Sequence, residues 1–137
     1  MPELSIPDGF ALSAHSSAYT DHVGPLWERA VEGDYRIGLR VEARHANRRG
    51  FCHGAVIGFL ADVELGRVIG YTRKPRLETV TAKLDLAFMT PARLGAWLEA
   101  TGRIDRLGTR LAYSSGFVLA DGVAVARMTG VFHLISD

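Results

Sequence analysis

The sequence predicts an α+β fold in which one long central helix is wrapped by a curved antiparallel β-sheet of five to six strands. Three observations carry this. Residues 53–70 are apolar on nearly every side of a helical wheel, as expected of a helix surrounded by protein. Tyr35, Ile37, Leu39 and Val41 alternate with Arg36, Arg40 and Glu42, the period of a half-buried strand. Beyond residue 76 the chain reads as strand, strand, strand and strand: Leu77 to Met89, Ala96 to Leu107, Arg110 to Ala120 and Val123 to Leu134. A helix that can expose no face to water forces the sheet beside it to curl around it.

The breaks between these elements have their own chemistry. Thr90-Pro91-Ala92-Arg93-Leu94-Gly95 interrupts the first two of the late strands and Leu107-Gly108 the next pair. Asp121-Gly122 is a two-residue hairpin signal of the type I′ kind, so the late strands are expected to run as a four-stranded meander. The first 34 residues are read as a lead-in packing on the domain of residues 35–137. Within it the patch Val23 to Val31 suggests a short helix opened by Pro25.

With 137 residues, 47% hydrophobic and 23% charged, the chain is of single-domain size and has the composition of a globular protein. A formal net charge of +1 supplies no field to hold a nucleic acid or an anionic bilayer. The longest apolar run, Phe51 to Ala61, is roughly half of the ~20 residues that a membrane span needs. The N-terminus lacks the basic start and apolar stretch of a secretory signal, so a cytoplasmic location is expected. One cysteine, Cys52, cannot form an intrachain disulfide and reads as a small buried hydrophobe. It and five scattered histidines offer no metal-ligand spacing, so no metal is expected.

Chemistry concentrates on the helix and the loop before it. Glycines at 54, 58, 66 and 70 form an every-fourth series whose missing member is Asp62. Steps of four drift only about 40° around a helix, so these residues share nearly one line. Interior glycines cost roughly 1 kcal/mol each against Ala, which implies that a second helix, a strand or a ligand approaches closely. A carboxylate in an apolar helix is expensive to bury unpaired, so Asp62 is read as catalytic rather than structural. Glu64, about 160° away around the wheel, is directed to a polar rim or a salt bridge and is the second choice for acid/base work. Gly54 can bring an unpaired helix-tip N–H to a substrate oxygen. Asn47 either donates to the same carbonyl or orders its own loop. His53 is either a cap, a brace or a base. Basic residues Arg48, Arg49, Arg73, Lys74 and Arg76 flank the helix; Arg73 and Arg76 are candidates for the phosphates of a soluble ligand.

Gly54 and Asp62 are eight residues apart, about 12 Å along one helix. One carbonyl cannot be within hydrogen-bond reach of both. If both act in one reaction, the carboxylate belongs to a second copy of the chain, and a two-fold dimer with composite sites follows.

The set Asn47, Gly50, His53-Gly54 and Asp62, followed by the strand-turn pattern Phe88-Met-Thr-Pro-Ala-Arg-Leu-Gly95, resembles the motif of hotdog-fold acyl-CoA thioesterases of the phenylacetate-pathway type. The resemblance covers about residues 35 to 134. It implies a hotdog paired into a homodimer and often a tetramer, acting on acyl-CoA with no metal or redox cofactor. It implies that Asp62 activates water or attacks the thioester carbonyl and that Gly54 N–H polarises that carbonyl from the partner subunit. Asn47 and His53 would hold the thioester and loop, and Thr81 matches the Ser/Thr position that orients the attacking water. The usual His-Gly-Gly reads His53-Gly54-Ala55, which adds a methyl where the acyl group passes, and Arg48 follows Asn47 where a Pro is frequent. Phe51, Phe59 and Phe88 are candidates for an acyl pocket, with core packing the alternative. Two other activities suit the same fold: an acyl-thioester hydratase or dehydratase, which needs His53 at the substrate, and a non-catalytic acyl-CoA binding module.

Overall fold

The computed structural model describes residues 5–72 and 77–135. Its elements are β1 (Ala11–Leu12), α1 (Ala18–Val23), β2 (Trp27–Val31), β3 (Asp34–Arg40), α2 (Gly54–Thr72), β4 (Glu78–Phe88), β5 (Trp97–Leu107), β6 (Leu111–Ala120) and β7 (Val123–Ile135), with a 3-10 turn at Ala43–His45. All pairings are antiparallel, and the sheet order is β1-β2-β3-β5-β6-β7-β4.

Helix α2 is the buried axis expected from the sequence. Leu60, Ala61, Leu65 and Ile69 are fully enclosed, packed with Ile37 and Leu39 of β3, Leu98 and Ala100 of β5, and Ala126, Met128 and Phe132 of β7. The sheet curls because its strands bend and slip. Register shifts at Ile104/Arg106, Val118/Leu119 and Thr81/Lys83 add local twist. At Gly116 a Cβ would stand 1.9 Å from the Thr101 carbonyl oxygen, so the strands cross there only because the residue has no side chain. The hairpin at Asp121-Gly122 forms as read, with both residues at positive φ (46° and 84°).

Three expectations need correction. The sheet has seven strands among the described residues rather than five or six, because β1 and β2 join it from the first 34 residues. The helix expected from Pro25 is absent: the short helix lies earlier, at Ala18–Val23, and Trp27–Val31 is strand β2, zipped to β3 from Trp27↔Gly38 to Val31↔Asp34 around the Gly33 turn. The late strands are not a simple meander. Strand β5 pairs with β3, and β4 closes on the far side against β7, so that β4 and β5 lie on opposite flanks of the helix.

Candidate active site

The every-fourth line of helix α2 faces strand β4. A Cβ on Gly54 would meet the Phe88 ring at 3.3 Å, one on Gly58 would meet Leu86 at 3.1 Å, and one on Gly66 would meet Thr79 Oγ1 at 3.2 Å. Of the three kinds of neighbour that the glycines allowed, a strand is the one found. Larger residues at these positions would hold β4 away from the helix.

Asp62 occupies the middle of that line. The Thr81 hydroxyl donates to Asp62 Oδ1 at 2.6 Å, a short charge-assisted hydrogen bond. The bulge after Thr81 makes this possible. Thr79 and Thr81 face the helix at odd positions; beyond the register shift Leu84 and Leu86 face it at even ones. One extra residue thus lets a single strand present hydroxyls beside Asp62 and aliphatic side chains farther along.

Asp62 and Thr81 lie where two cavities meet, with Ser17, Thr20 and Val63 common to both. Toward the helix N-terminus, a cavity of about 570 Å³ is walled by Tyr19, Ala55, Gly58, Phe59 and Leu84. Toward the C-terminus, one of about 530 Å³ is walled by His15, Ser16, Gly66, Arg67, Glu78, Thr79 and Phe132. Ala55 and Phe59 therefore line space next to the carboxylate. Phe51 does not: it is half-buried in the loop, bridged to Arg93. Phe88 covers Gly54 and lines neither cavity.

The helix tip is organised by His53. Its Nδ1 accepts the Ala55 N–H at 3.0 Å and its carbonyl accepts the Val56 N–H at 3.0 Å. His53 is thus the cap of α2. Among the described residues no partner is found for the Gly54 N–H, which remains the available donor at the tip. Asn47 orders its loop: Oδ1 accepts from Arg49 N–H at 2.9 Å and Phe51 N–H at 3.1 Å. With Oδ1 so engaged, Nδ2 is the part of Asn47 suited to donate to a ligand. His45, buried behind this loop, accepts the Glu42 N–H on Nδ1 and bonds the Val23 carbonyl through Nε2 at 2.6 Å. No signal in the sequence set His45 apart from the other histidines.

Glu64 is not at a polar rim. It is fully enclosed, and its Oε2 accepts the Gly102 N–H of β5 at 2.9 Å. The curled sheet covers this flank of α2 as completely as the others, and burial pushes the Glu64 carboxyl well above the usual range against the opposing Gly102 bond. Enclosed on this flank and bonded to the β5 backbone, Glu64 is a core group with no route to substrate. Burial likewise pushes the Cys52 thiol up to about 11, which leaves it inert. Arg73 and Arg76 lie outside the described residues. No cluster of metal-ligating side chains and no helix long and apolar enough to cross a membrane is found among the described residues.

A curled antiparallel sheet wrapped on one central helix is the hotdog architecture, and here the helix carries a carboxylate at its middle and, among the described residues, an unpartnered glycine amide at its tip. The profile of the Thioesterase superfamily matches residues 49–126, more than half of the 137 residues, and the chain belongs to that superfamily. A Pseudomonas aeruginosa protein that bears the name of an esterase is 37% identical over 132 residues, covering 96% of this chain and 98% of its own. Among solved structures, the phenylacetic acid degradation protein PaaI of Thermus thermophilus is 25% identical with a TM-score of 0.75, over 87% of this chain and 100% of that one. The E. coli PaaI protein is 21% identical with a TM-score of 0.78, over 88% and 86%. A Bacillus halodurans protein solved with CoA is 20% identical with a TM-score of 0.78, over 91% and 83%. The family and the esterase-named relative support a hydrolase role.

Proposed function

We propose that this protein hydrolyses acyl-CoA thioesters to the free acid and CoA. The observation that carries the reading is the 2.6 Å bond from Thr81 to Asp62 at the junction of two cavities. A thioester is a bond between two unlike arms, and a carboxylate between two chambers is suited to act on the carbonyl that joins them. Asp62 takes the proton of the attacking water, or attacks the carbonyl itself, and Thr81 fixes the carboxylate's orientation. Gly54 N–H polarises the carbonyl. Since Gly54 and Asp62 are about 12 Å apart on one helix, these groups come from two copies of the chain, and the working unit is a homodimer. Asn47 Nδ2 adds a second donor, His53 holds the tip amides in place, and no metal or redox cofactor takes part. The hydratase alternative needs a histidine base at the substrate, whereas His53 Nδ1 is occupied by the Ala55 amide.

Release of free thiol from short, medium, long and aryl-acetyl CoA thioesters tests this, with wild type beside Asp62→Asn. Turnover that falls by roughly 10²-fold or more in the variant is expected for loss of a general base. Near wild-type turnover in Asp62→Asn overturns the assigned role, and binding without turnover in wild type overturns the enzyme reading.

A further inference from the structure

We propose that residues 13–24 form the outer wall of the acyl site, with Tyr19 as a specificity-determining residue and Arg67 as the positioning residue that holds this strap. The assignment rests on the thioesterase reading of the Asp62 site. It begins from the way the strap is fastened. At one end the Arg67 guanidinium donates to Ser13 Oγ at 2.9 Å and to the His15 carbonyl at 2.8 Å. The Arg67 side chain is only 11% exposed and also reaches Tyr35 Oη at 3.3 Å and Glu28 at 3.8 Å, so its fork is fixed by the body of the domain. At the other end His45 Nε2 bonds the Val23 carbonyl, and Arg44 donates to the His22 carbonyl at 2.5 Å and to the Gly24 carbonyl.

Between these two clamps the strap passes over Asp62. Ser17 caps the short helix α1 by accepting the Thr20 N–H at 3.1 Å, and both residues line the two cavities that meet at the carboxylate. Tyr19 then sets its ring edge-on to Phe59, centroids 5.2 Å apart and planes at 75°. Tyr19, Phe59, Ala55 and Leu84 give the chamber on this side an apolar wall, whereas the opposite chamber carries Ser16, Arg67, Glu78 and Thr79. An apolar acyl group belongs in the first and the amide-bearing arm of CoA in the second, because each buries beside like chemistry. The acyl group therefore lies against a wall built jointly by Phe59 of the central helix and Tyr19 of the strap, and the fastening of the strap sets how large a group fits.

The test measures kcat and KM of wild type, Tyr19→Ala and Arg67→Gln on acetyl-CoA, hexanoyl-CoA and phenylacetyl-CoA. Tyr19 is 59% exposed, so its truncation leaves the fold intact. Its loss is expected to grow with the acyl group, reaching roughly tenfold in kcat/KM on phenylacetyl-CoA relative to acetyl-CoA and residing in KM. Arg67→Gln is expected to change the same ratio in the same direction. An equal loss on all three substrates in Tyr19→Ala overturns the specificity role, and an equal loss in Arg67→Gln overturns the positioning role. Absence of thiol release from wild type on every substrate overturns the thioesterase reading and this assignment with it.

Discussion

The ring of Phe88 occupies the space that a side chain at Gly54 would need: a Cβ there would stand 3.3 Å from Phe88 Cζ. The residue that caps one end of the edge strand and the residue that opens the central helix are thus fitted to each other. The ring is 56% exposed and has room to yield by the few tenths of an ångström that an added methyl requires.

Gly54→Ala is therefore expected to fold, with stability within about 1 kcal/mol of wild type, since helix propensity favours Ala. Turnover is expected to fall by roughly tenfold or more as the displaced ring and new methyl crowd the tip amide. Thermal unfolding and thiol release on the same preparation check both; an unchanged rate would show that the reaction does not require a bare glycine at the helix tip.

The bond from Thr81 to Asp62 predicts a graded series. Thr81→Ser keeps the hydroxyl and is expected to stay within a few-fold of wild type. Thr81→Val keeps the shape and loses the donor, and a decrease of roughly 10- to 100-fold in kcat is expected for a hydrogen bond to a charged group. Equal rates for Ser and Val variants would show that the hydroxyl has no part in turnover.

His53 separates capping from catalysis. As the cap of α2, its change to Ala is expected to lower stability by about 1 kcal/mol and turnover by less than tenfold. A base would instead lose roughly 10²- to 10⁴-fold. Urea midpoints alongside steady-state rates distinguish the two, and a rate loss of that larger size without loss of stability would make His53 a proton-transfer group.

Glu64 predicts a pH effect on stability. Its folded carboxyl is raised well above the ordinary value of 4.5 by burial, so above that value the folded protein holds a proton that the unfolded chain releases. The contribution is full below the unfolded pKa and is lost as pH rises toward the folded one. Wild type is thus expected to lose stability from pH 5 upward more steeply than Glu64→Gln, as read by denaturant unfolding at successive pH values. Parallel curves would mean that Glu64 is charged in the fold.

The central helix and the late strands were legible because burial on all sides and on one side leave different periods, and both periods are strong in this chain. The neighbour order of the strands was not. The Thr90-to-Gly95 segment marks a break but holds no mark of which flank of the helix the next strand takes, and β5 went to β3 rather than to β4. Pro25 drew the N-terminal patch toward helix, while the turn at Glu32-Gly33 between two short alternating runs was the better signal, since a hairpin there gives Trp27–Val31 a partner. At the site, Asp62 and Gly54 stood out from their helix by residue type, and Thr81 entered through the family motif. Tyr19, Thr20 and Arg67 did not stand out, because their proximity to Asp62 depends on the strap's path across the surface. Glu64 was misplaced because angular separation from Asp62 says nothing of solvent when a sheet encloses the helix.

The bulge after Thr81 has a further consequence. It lets odd-numbered Thr81 and even-numbered Leu84 and Leu86 share one face, because Ala82 is the extra residue between Thr81↔Phe132 and Lys83↔Val131. With Ala82 deleted these two pairs would follow one another in plain register, and ordinary alternation would still turn Thr81, Leu84 and Leu86 to the helix. What the added alanine supplies is therefore curvature rather than facing: it bends β4 beside the reacting centre, and a chain lacking it would keep the same side chains inward on a straighter strand.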